Sequence, residues 1–183
     1  MLAAGVGSVE AAAATARALV ENKYDAVVNA GIAGAFRGRA QIGDGVLVAE
    51  EHLAAFGLEG GDALSLPDGA RLETSVSADA GLLARCRDLA LRSVRGLTVH
   101  EVTTTDDTAN RLLRTYDADV ESMEGFAVLR AAKLAGVAAL EVRGISNVVG
   151  DRAQGGWDFR AGARAAVAAL DAVLERLGAP APR

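Results

Sequence analysis

The chain has 183 residues, of which 51% are hydrophobic and 23% are charged. This size and balance predict one globular domain over residues 1–183 and exclude a disordered or membrane-spanning chain. The formal net charge is −5 and the Lys and Arg residues are dispersed, which argues against a surface for nucleic acid or anionic lipid. Because no targeting segment is evident at the amino terminus, we expect a cytoplasmic protein that acts on a small molecule.

Cysteine and histidine are too scarce for a metal site. Cys86 is the only cysteine, so no internal disulfide can form, and its leucine neighbours predict an inert buried thiol. His52 and His100 are the only histidines, and neither lies near a second ligand of the kind that zinc requires. We therefore expect neither a metal nor a cofactor.

Apolar residues follow helical spacing in some segments and form short continuous runs in others, with glycine or polar residues at the boundaries. Ser8 is suited to cap the first helix. In chain order the pattern predicts a helix over 8–22 and strands over 24–30 and 45–50, followed by a surface excursion over 57–77. It then predicts a helix over 78–94, a strand over 97–104 and a helix over 106–115. The last predicted elements are a strand over 119–121, a helix over 123–135, a strand over 137–146 and a helix over 159–177. This alternation predicts an α/β sheet covered by helices on both faces.

Three segments place glycine or polar residues at the end of a predicted strand, where open α/β sheets bind their ligands. They are Gly31-Ile32-Ala33-Gly34, Glu121-Ser122-Met123-Glu124-Gly125 and Arg143-Gly144-Ile145-Ser146-Asn147. The two glycines of the first segment let backbone amides approach an oxyanion or a sugar oxygen, although such a segment is as often a simple tight turn. The nearby Arg37 and Arg39 are more typical of a solvated loop than of a phosphate site.

The other two segments carry the polar chemistry. A carboxylate at Glu121 or Glu124 can accept both hydroxyls of a ribose while Met123 packs against its apolar face, but acids at a helix start are also favoured by the dipole alone. The amide of Asn147 can donate to a ring nitrogen or carbonyl, although Asn at a strand end is often only a turn former.

The ordered motifs together resemble the nucleoside phosphorylase/nucleosidase superfamily, in its hydrolytic branch with the methylthioadenosine/adenosylhomocysteine nucleosidases. The matching segments are residues 5–12 (GVGSVEAA), 29–36 (NAGIAGAF), 42–44 (IGD), 120–127 (VESMEGFA) and 142–147 (VRGISN). Within that branch the motifs are similar to those of the futalosine hydrolase family, which releases hypoxanthine from futalosine in menaquinone biosynthesis.

The resemblance implies a three-layer α/β sandwich with a central mixed, twisted sheet flanked by helices. It also implies that Glu124 and Met123 hold the ribose, that Ser146 and Asn147 face the purine, and that no cofactor takes part. Members are usually homodimers that complete the pocket with a neighbouring chain, so we expect a homo-oligomer. Members also carry a segment ahead of the part matching residues 5–7, with the first strands and the glutamate that activates water, and we expect this chain to lack them.

The last residue of the 142–147 motif bears on the substrate. Relatives that cleave adenine nucleosides carry Asp where this chain has Asn147, and an Asp can accept from the exocyclic amine of adenine. Hypoxanthine offers only the acceptors O6 and N7 along that edge, to which an amide can donate. The sequence therefore predicts hydrolysis of the N-glycosidic bond of a 6-oxopurine nucleoside through positive charge on the sugar. Three alternatives stay open: an adenine-specific nucleosidase, a phosphorylase that uses Arg37 or Arg39, and a nucleoside-binding module without turnover.

Overall fold

The computed structural model describes residues 1–58, 66–150 and 156–178 and contains one mixed sheet flanked by helices, as the sequence predicted. The helices in chain order are α1 Ser8–Glu21, α2 Ala80–Arg85, α3 Asp106–Tyr116, α4 Gly125–Leu134 and α5 Phe159–Leu177. The strands are β1 Ala26–Ala35, β2 Gly45–Leu53, β3 Ser75–Ser77, β4 Arg92–Thr98, β5 Val120–Ser122 and β6 Ala138–Val148.

The sheet closes on itself. Its strand order is β3-β2-β4-β5-β1-β6, and β2 also pairs with β6, so five strands form a ring to which β3 is attached along β2. The pairs β1–β6, β2–β4 and β4–β5 are parallel, whereas β1–β5, β2–β3 and β2–β6 are antiparallel. Closure brings residues of β2 and β6 together although about ninety positions separate them, which periodicity alone does not indicate.

The helices pack on this sheet through small residues. Helix α5 lies on β6, β1 and β2, while α1 lies on α4. A Cβ added at Gly144 of β6 would overlap the carbonyl oxygen of Gly162 in α5, so this approach requires a glycine. Helix α5 begins where the Asp158 side chain accepts from the amide of Ala161, and it ends at Gly178 in the left-handed conformation. In the three described ranges, no helix is long and apolar enough to cross a membrane.

Two predicted boundaries were wrong. The helix expected over 78–94 is only the six residues of α2, and β4 occupies part of the remaining range. The strand expected over 97–104 begins earlier, at Arg92, and ends at Thr98. The apolar residues at 82, 83, 89 and 91 pack into one core cluster with β2, β6 and α5, so a short helix and the loop that follows it together imitate the spacing of a longer helix.

Strands β1, β2 and β6 end later than predicted, and for β1 and β6 this changes the setting of the site motifs. Residues 31–34 do not follow β1 as a turn; they are its last half. Ser146 and Asn147 likewise lie inside β6. Both strands continue because they pair with each other in parallel as far as Ala35 and Val148, which satisfies the backbone groups that a turn would have exposed.

Candidate active site

The three sequence motifs lie on neighbouring strands. Strand β1, which carries residues 31–34, lies between β5, which carries Glu121, and β6, which carries Arg143 and Asn147. Gly34 is the point where they meet, because it pairs with Glu121 on one side and with Asn147 on the other. The structure therefore brings Gly34 together with residues that lie 87 and 113 positions further along the sequence.

Glu124 stands at the start of α4, but its carboxylate does not cap that helix. Oε1 accepts a hydrogen bond from the amide of Gly7 at 3.0 Å, and Oε2 accepts one from Nη1 of Arg143 at 3.2 Å. The side chain is 18% exposed, so solvent or a ligand can still reach it. A carboxylate at this position keeps lone pairs that can accept from further hydroxyl groups.

Arg143 connects this carboxylate to the interior. Its side chain is 3% exposed, its Nε donates to Glu141 at 2.7 Å, and its Nη1 donates to the carbonyl oxygen of Ile32 at 3.1 Å. Burial lowers the pKa of Arg143, but the carboxylates of Glu141 and Glu124 outweigh that effect and raise it. Nη2 is buried without a hydrogen-bond acceptor within the described ranges.

Gly31 and Gly34 make room for side chains of the neighbouring strand. A Cβ added at Gly31 would overlap Nη1 of Arg143, and one added at Gly34 would lie 2.9 Å from Nδ2 of Asn147. The predicted role of these glycines, close approach of a ligand to their amides, is untested by this arrangement. What the contacts show is that both positions exclude a side chain so that Arg143 and Asn147 can lie across β1.

Ser146 and Asn147 form a hydrogen-bonded pair at a bulge. Ala33 pairs with Ile145 and Gly34 with Asn147, so Ser146 is the additional residue on β6. The Ser146 hydroxyl lies 2.8 Å from Oδ1 of Asn147 and 3.2 Å from the carbonyl oxygen of Ala33. Within the described ranges, Nδ2 of Asn147 donates one long hydrogen bond, of 3.3 Å, to the carbonyl oxygen of Val148. The pair thus fixes the carbonyl end of the amide and leaves its donor end weakly bound.

The motif residues 121–123 point to different partners. Glu121 is buried and receives two hydrogen bonds from Thr103, from its amide at 3.0 Å and from its hydroxyl at 2.5 Å. Burial raises the pKa of Glu121, and the two hydrogen bonds from Thr103 lower it by a smaller amount. Ser122 accepts from the amide of Gly125 at 3.3 Å, and Met123 packs against a core cluster that includes Phe36 and Val149. Glu121 therefore ties down the segment near residue 103, and its ribose contact stays a prediction.

Two buried acids next to the site were not singled out from the sequence. Glu141 and Glu51 are both 0% exposed, and Glu141 is the partner of Arg143. Burial, followed by the charge of Glu141, raises the pKa of Glu51 well above its ordinary range. The available signal was an acid inside each of two apolar strands, in the segments VLVAEEHL and AALEVRGI. Charged residues are rarely buried without a partner, so such positions indicate a buried polar network.

Other residues considered for function lie elsewhere. Arg39 pairs with Asp117 at 2.5 Å, and Arg37 lies 3.7 Å from Asp106, so both arginines of the alternative phosphate site face carboxylates. Cys86 is buried, as predicted. A groove of about 620 Å³ runs between α1 and α4. Asp151 and Arg152, which follow the 142–147 motif in the sequence, lie outside the described residues.

The comparisons with known proteins agree with this geometry. The phosphorylase superfamily model matches residues 1–178. The futalosine hydrolase of Thermus thermophilus is 36% identical over 96% of this chain and 79% of its own length, and that of Acidothermus cellulolyticus is 40% identical over 87% and 68%. The solved structure of the futalosine hydrolase of Helicobacter pylori superimposes on this chain with a TM-score of 0.82, and the superposition covers 94% of this chain and 77% of that one. At 17% sequence identity this likeness shows a shared fold and no more. The chain therefore belongs to the phosphorylase superfamily and, within it, to the futalosine hydrolase family.

Proposed function

We propose that the protein hydrolyses the N-glycosidic bond of futalosine and releases hypoxanthine, a step of menaquinone biosynthesis. The observation that carries the proposal is the direct contact between Glu124 and Arg143, with Asn147 four positions further along the same strand as Arg143. This arrangement sets an acceptor for sugar hydroxyls beside a donor for a purine. Identity of 36–40% to three futalosine hydrolases supports it.

Glu124 is the proposed sugar-binding and catalytic residue. The Gly7 amide and Arg143 hold its carboxylate from two sides, which restricts its rotation before the substrate arrives. In a dissociative reaction the bond to the base lengthens first and positive charge develops on the ribose. A fixed carboxylate at the sugar hydroxyls stabilises that charge more than it stabilises the neutral ground state, and this difference is what accelerates the reaction.

Asn147 is the proposed base-recognition residue. With its Oδ1 fixed by the Ser146 hydroxyl at 2.8 Å, its Nδ2 is the end that can face the purine. Hypoxanthine presents acceptors at O6 and N7, so an N–H donor matches it. Adenine presents an amine at the same edge and would leave two donors opposed, which disfavours that base.

Water is the proposed acceptor of the sugar, in preference to phosphate. The two arginines that could have formed a phosphate site pair with Asp117 and Asp106 instead. A phosphate would have to compete with these carboxylates for the same guanidinium groups. This supports hydrolysis over phosphorolysis.

The finer expectations of a cytoplasmic homodimer belong to the same proposal. The α1–α4 groove is lined mainly by apolar residues, and Val9, Val20 and Leu134 around it are at least 72% exposed. Exposed apolar surface of this kind is typical of a protein–protein interface. Light scattering at several protein concentrations tests the oligomeric state, and a strictly monomeric protein would contradict it.

Base release measured by chromatography tests the function. We expect hypoxanthine from futalosine at the same rate with and without phosphate, and little adenine from methylthioadenosine. In Asn147→Asp the ratio of hypoxanthine to adenine release should fall by about tenfold or more, because a donor has been replaced by an acceptor. Asn110→Asp, an exposed substitution on α3, is the matched control and should leave the ratio unchanged.

Three results would contradict the proposal in different ways. Phosphate-dependent release would identify a phosphorylase, and faster release of adenine by the unmodified protein would identify an adenine-specific nucleosidase. Binding of hypoxanthine without release of base from any nucleoside would identify a binding module. An unchanged preference in Asn147→Asp would remove Asn147 from base recognition.

A further inference from the structure

Glu51 occupies a space that is shaped for its carboxyl group. It lies on β2 and is 0% exposed. A Cβ added at Gly96 of β4 would lie 2.6 Å from its carboxyl carbon, and one added at Gly125 of α4 would lie 2.5 Å from the same atom. Two glycines from separate elements thus enclose the carboxyl group, and neither has a left-handed conformation that would explain it otherwise.

Hydrogen bonds fix one oxygen of this group. Oε2 accepts from the hydroxyl of Thr98 at 2.7 Å, and that hydroxyl in turn accepts from the amide of Phe126 at 2.8 Å. Since Phe126 is the second residue of α4, the chain of bonds runs from Glu51 to the helix that starts next to Glu124. The orientation of the carboxyl is therefore set by the same helix start that presents the proposed sugar ligand.

The other oxygen of Glu51, Oε1, lies on the side of a second buried acid, Glu141. A Cβ at Gly125 would overlap Oε1 of Glu51 and lie 2.6 Å from Oε1 of Glu141, so the two carboxyl groups border the same space. Oε1 of Glu51 and Oε2 of Glu141 are both buried with no donor among the residues that the structure describes. Two neighbouring acceptors without donors are satisfied if one of the acids carries a proton.

Charge balance indicates which acid carries it. The surrounding elements present Glu141 and Arg143 on β6 and Glu124 at the start of α4, while β4 presents the uncharged Gly96 and Thr98. Glu141 accepts a hydrogen bond from Nε of Arg143 at 2.7 Å and therefore has a cation as its direct partner. Glu51 has no such cation among the described residues, and its neighbours Glu50 and His52 pair with each other at 3.4 Å.

We propose that Glu51 is a positioning residue, carried as the neutral acid, whose proton holds Glu141 in place so that Glu141 holds Arg143 against Glu124. The inference rests on the proposed function of Glu124 and deepens it. Glu51 touches neither sugar nor base. It acts through a relay of three side chains, each of which is buried or nearly so.

The protonated state matters for the reaction. With Glu51 neutral, two carboxylates and one guanidinium give the cluster a net charge of −1, which is opposite to the single positive charge that develops on the ribose. An ionised Glu51 would put a second uncompensated charge beside Glu141, and the repulsion would displace the carboxylate that anchors Arg143. The neutral acid avoids this cost and supplies the missing donor.

The experiment compares Glu51→Gln with Glu51→Ala. Gln reproduces the neutral acid, since its Oε1 can accept from Thr98 and its Nε2 can donate to Glu141, so we expect kcat and KM within about threefold of the unmodified protein. Ala removes the donor, and kcat should fall about tenfold or more with a smaller change in KM, because Glu124 is displaced while other contacts to the substrate persist. Glu50→Gln, the adjacent acid with its side chain 36% exposed, is the matched control and should change neither.

Two further measurements test the protonation state without turnover. The infrared band of a protonated carboxylic acid at neutral pH should be present in the unmodified protein and in Glu50→Gln but absent in Glu51→Gln. The melting temperature of the unmodified protein should fall relative to Glu51→Gln as pH rises from 5 to 8, because only the unmodified protein must keep a proton on folding.

The outcomes separate the two proposals. An unmodified protein that releases no base refutes the proposed function, while the infrared and melting data still decide the state of Glu51. If Glu51→Gln loses as much kcat as Glu51→Ala, or if the infrared band survives in Glu51→Gln, the neutral-acid role is overturned. Unchanged kcat in Glu51→Ala overturns the positioning role.

Discussion

Replacement of Gly31 by Ala is a direct test of how the site is held together. The added Cβ would occupy the space of Nη1 of Arg143, so the guanidinium must move by about 1 Å to reach an ordinary contact distance. Nη1 makes two hydrogen bonds, to the carbonyl oxygen of Ile32 at 3.1 Å and to Glu124 at 3.2 Å. A shift of that size breaks both, while Nε can keep its bond to Glu141.

The expected loss follows from the bond to Glu124. A hydrogen bond to a charged group contributes about 1.5–3 kcal/mol, which corresponds to about a 10- to 150-fold decrease in kcat/KM if Glu124 acts on the developing cation. The measurement is release of hypoxanthine from futalosine over a range of substrate concentrations. The backbone conformation at Gly31 is that of an ordinary strand, which Ala can adopt, and Ala also reduces the conformational freedom of the unfolded chain. The overlap with Arg143 is therefore the cost that this substitution introduces.

Gly156→Ala is the control, because a Cβ at that position meets no atom within 4 Å. It should keep the kcat/KM of the unmodified protein. Urea unfolding of both variants separates a local displacement of Arg143 from general loss of the fold. A Gly31→Ala variant that remains folded and has unmodified kcat/KM would refute the claim that the contact between Arg143 and Glu124 supports catalysis.

Two further substitutions test the structure around the site. Thr103→Val removes one of the two hydrogen bonds to the buried Glu121 and should lower the free energy of unfolding by about 1–3 kcal/mol at pH 7. Thr104→Val, at the exposed neighbouring position, is the control. Equal urea midpoints for the two variants would contradict this prediction. Burial already raises the pKa of Glu121, so the contribution of Glu121 to stability decreases as pH rises above the ordinary pKa of a Glu. The hydrogen bond from the Thr103 hydroxyl lowers that pKa and so favours the charged carboxylate. The free energy of unfolding lost in Thr103→Val should therefore be smaller near pH 4 than at pH 7. Gly144→Ala places a Cβ against the backbone of α5 and should lower the free energy of unfolding, measured with urea, by about 1–3 kcal/mol. Gly156→Ala is the control and should have little effect. A Gly144→Ala urea midpoint equal to that of the control would contradict the packing of α5 on β6.

Most elements and the identity of the motifs could be predicted from the sequence because they depend on local signals. Helices α1, α3, α4 and α5 follow from apolar spacing. The cap predicted at Ser8 was wrong, because Ser8 is already the first residue of α1 and the N-cap position belongs to Gly7, with no side-chain hydrogen bond. The prediction for residues 78–94 was wrong because apolar residues that face one core from a short helix and from the loop after it have the same spacing as a longer helix. Periodicity reports burial, and burial has more than one structural cause.

The ends of the strands failed for a different reason. Glycines at 31 and 34 and the pair Ser146–Asn147 are typical of turns when they are read locally. In the fold they lie inside β1 and β6, because parallel pairing between these strands satisfies the backbone and because the glycines accommodate side chains from the adjacent strand. The residue that requires each glycine is more than a hundred positions away, so no local pattern contains it.

The sequence by itself determined that this chain is an α/β protein. It also predicted that residues 121–125 and 143–147 carry polar groups suited to a nucleoside and that Asn147 favours a 6-oxopurine. Only the tertiary structure decided that Glu124 and Arg143 are in contact, that Glu121 is held by Thr103 instead, and that Glu51 and Glu141 meet behind the site. The physical reason is closure of the sheet. Pairing of β2 with β6 joins segments whose residue types are individually unremarkable, and the burial that results is what gives those acids their chemistry.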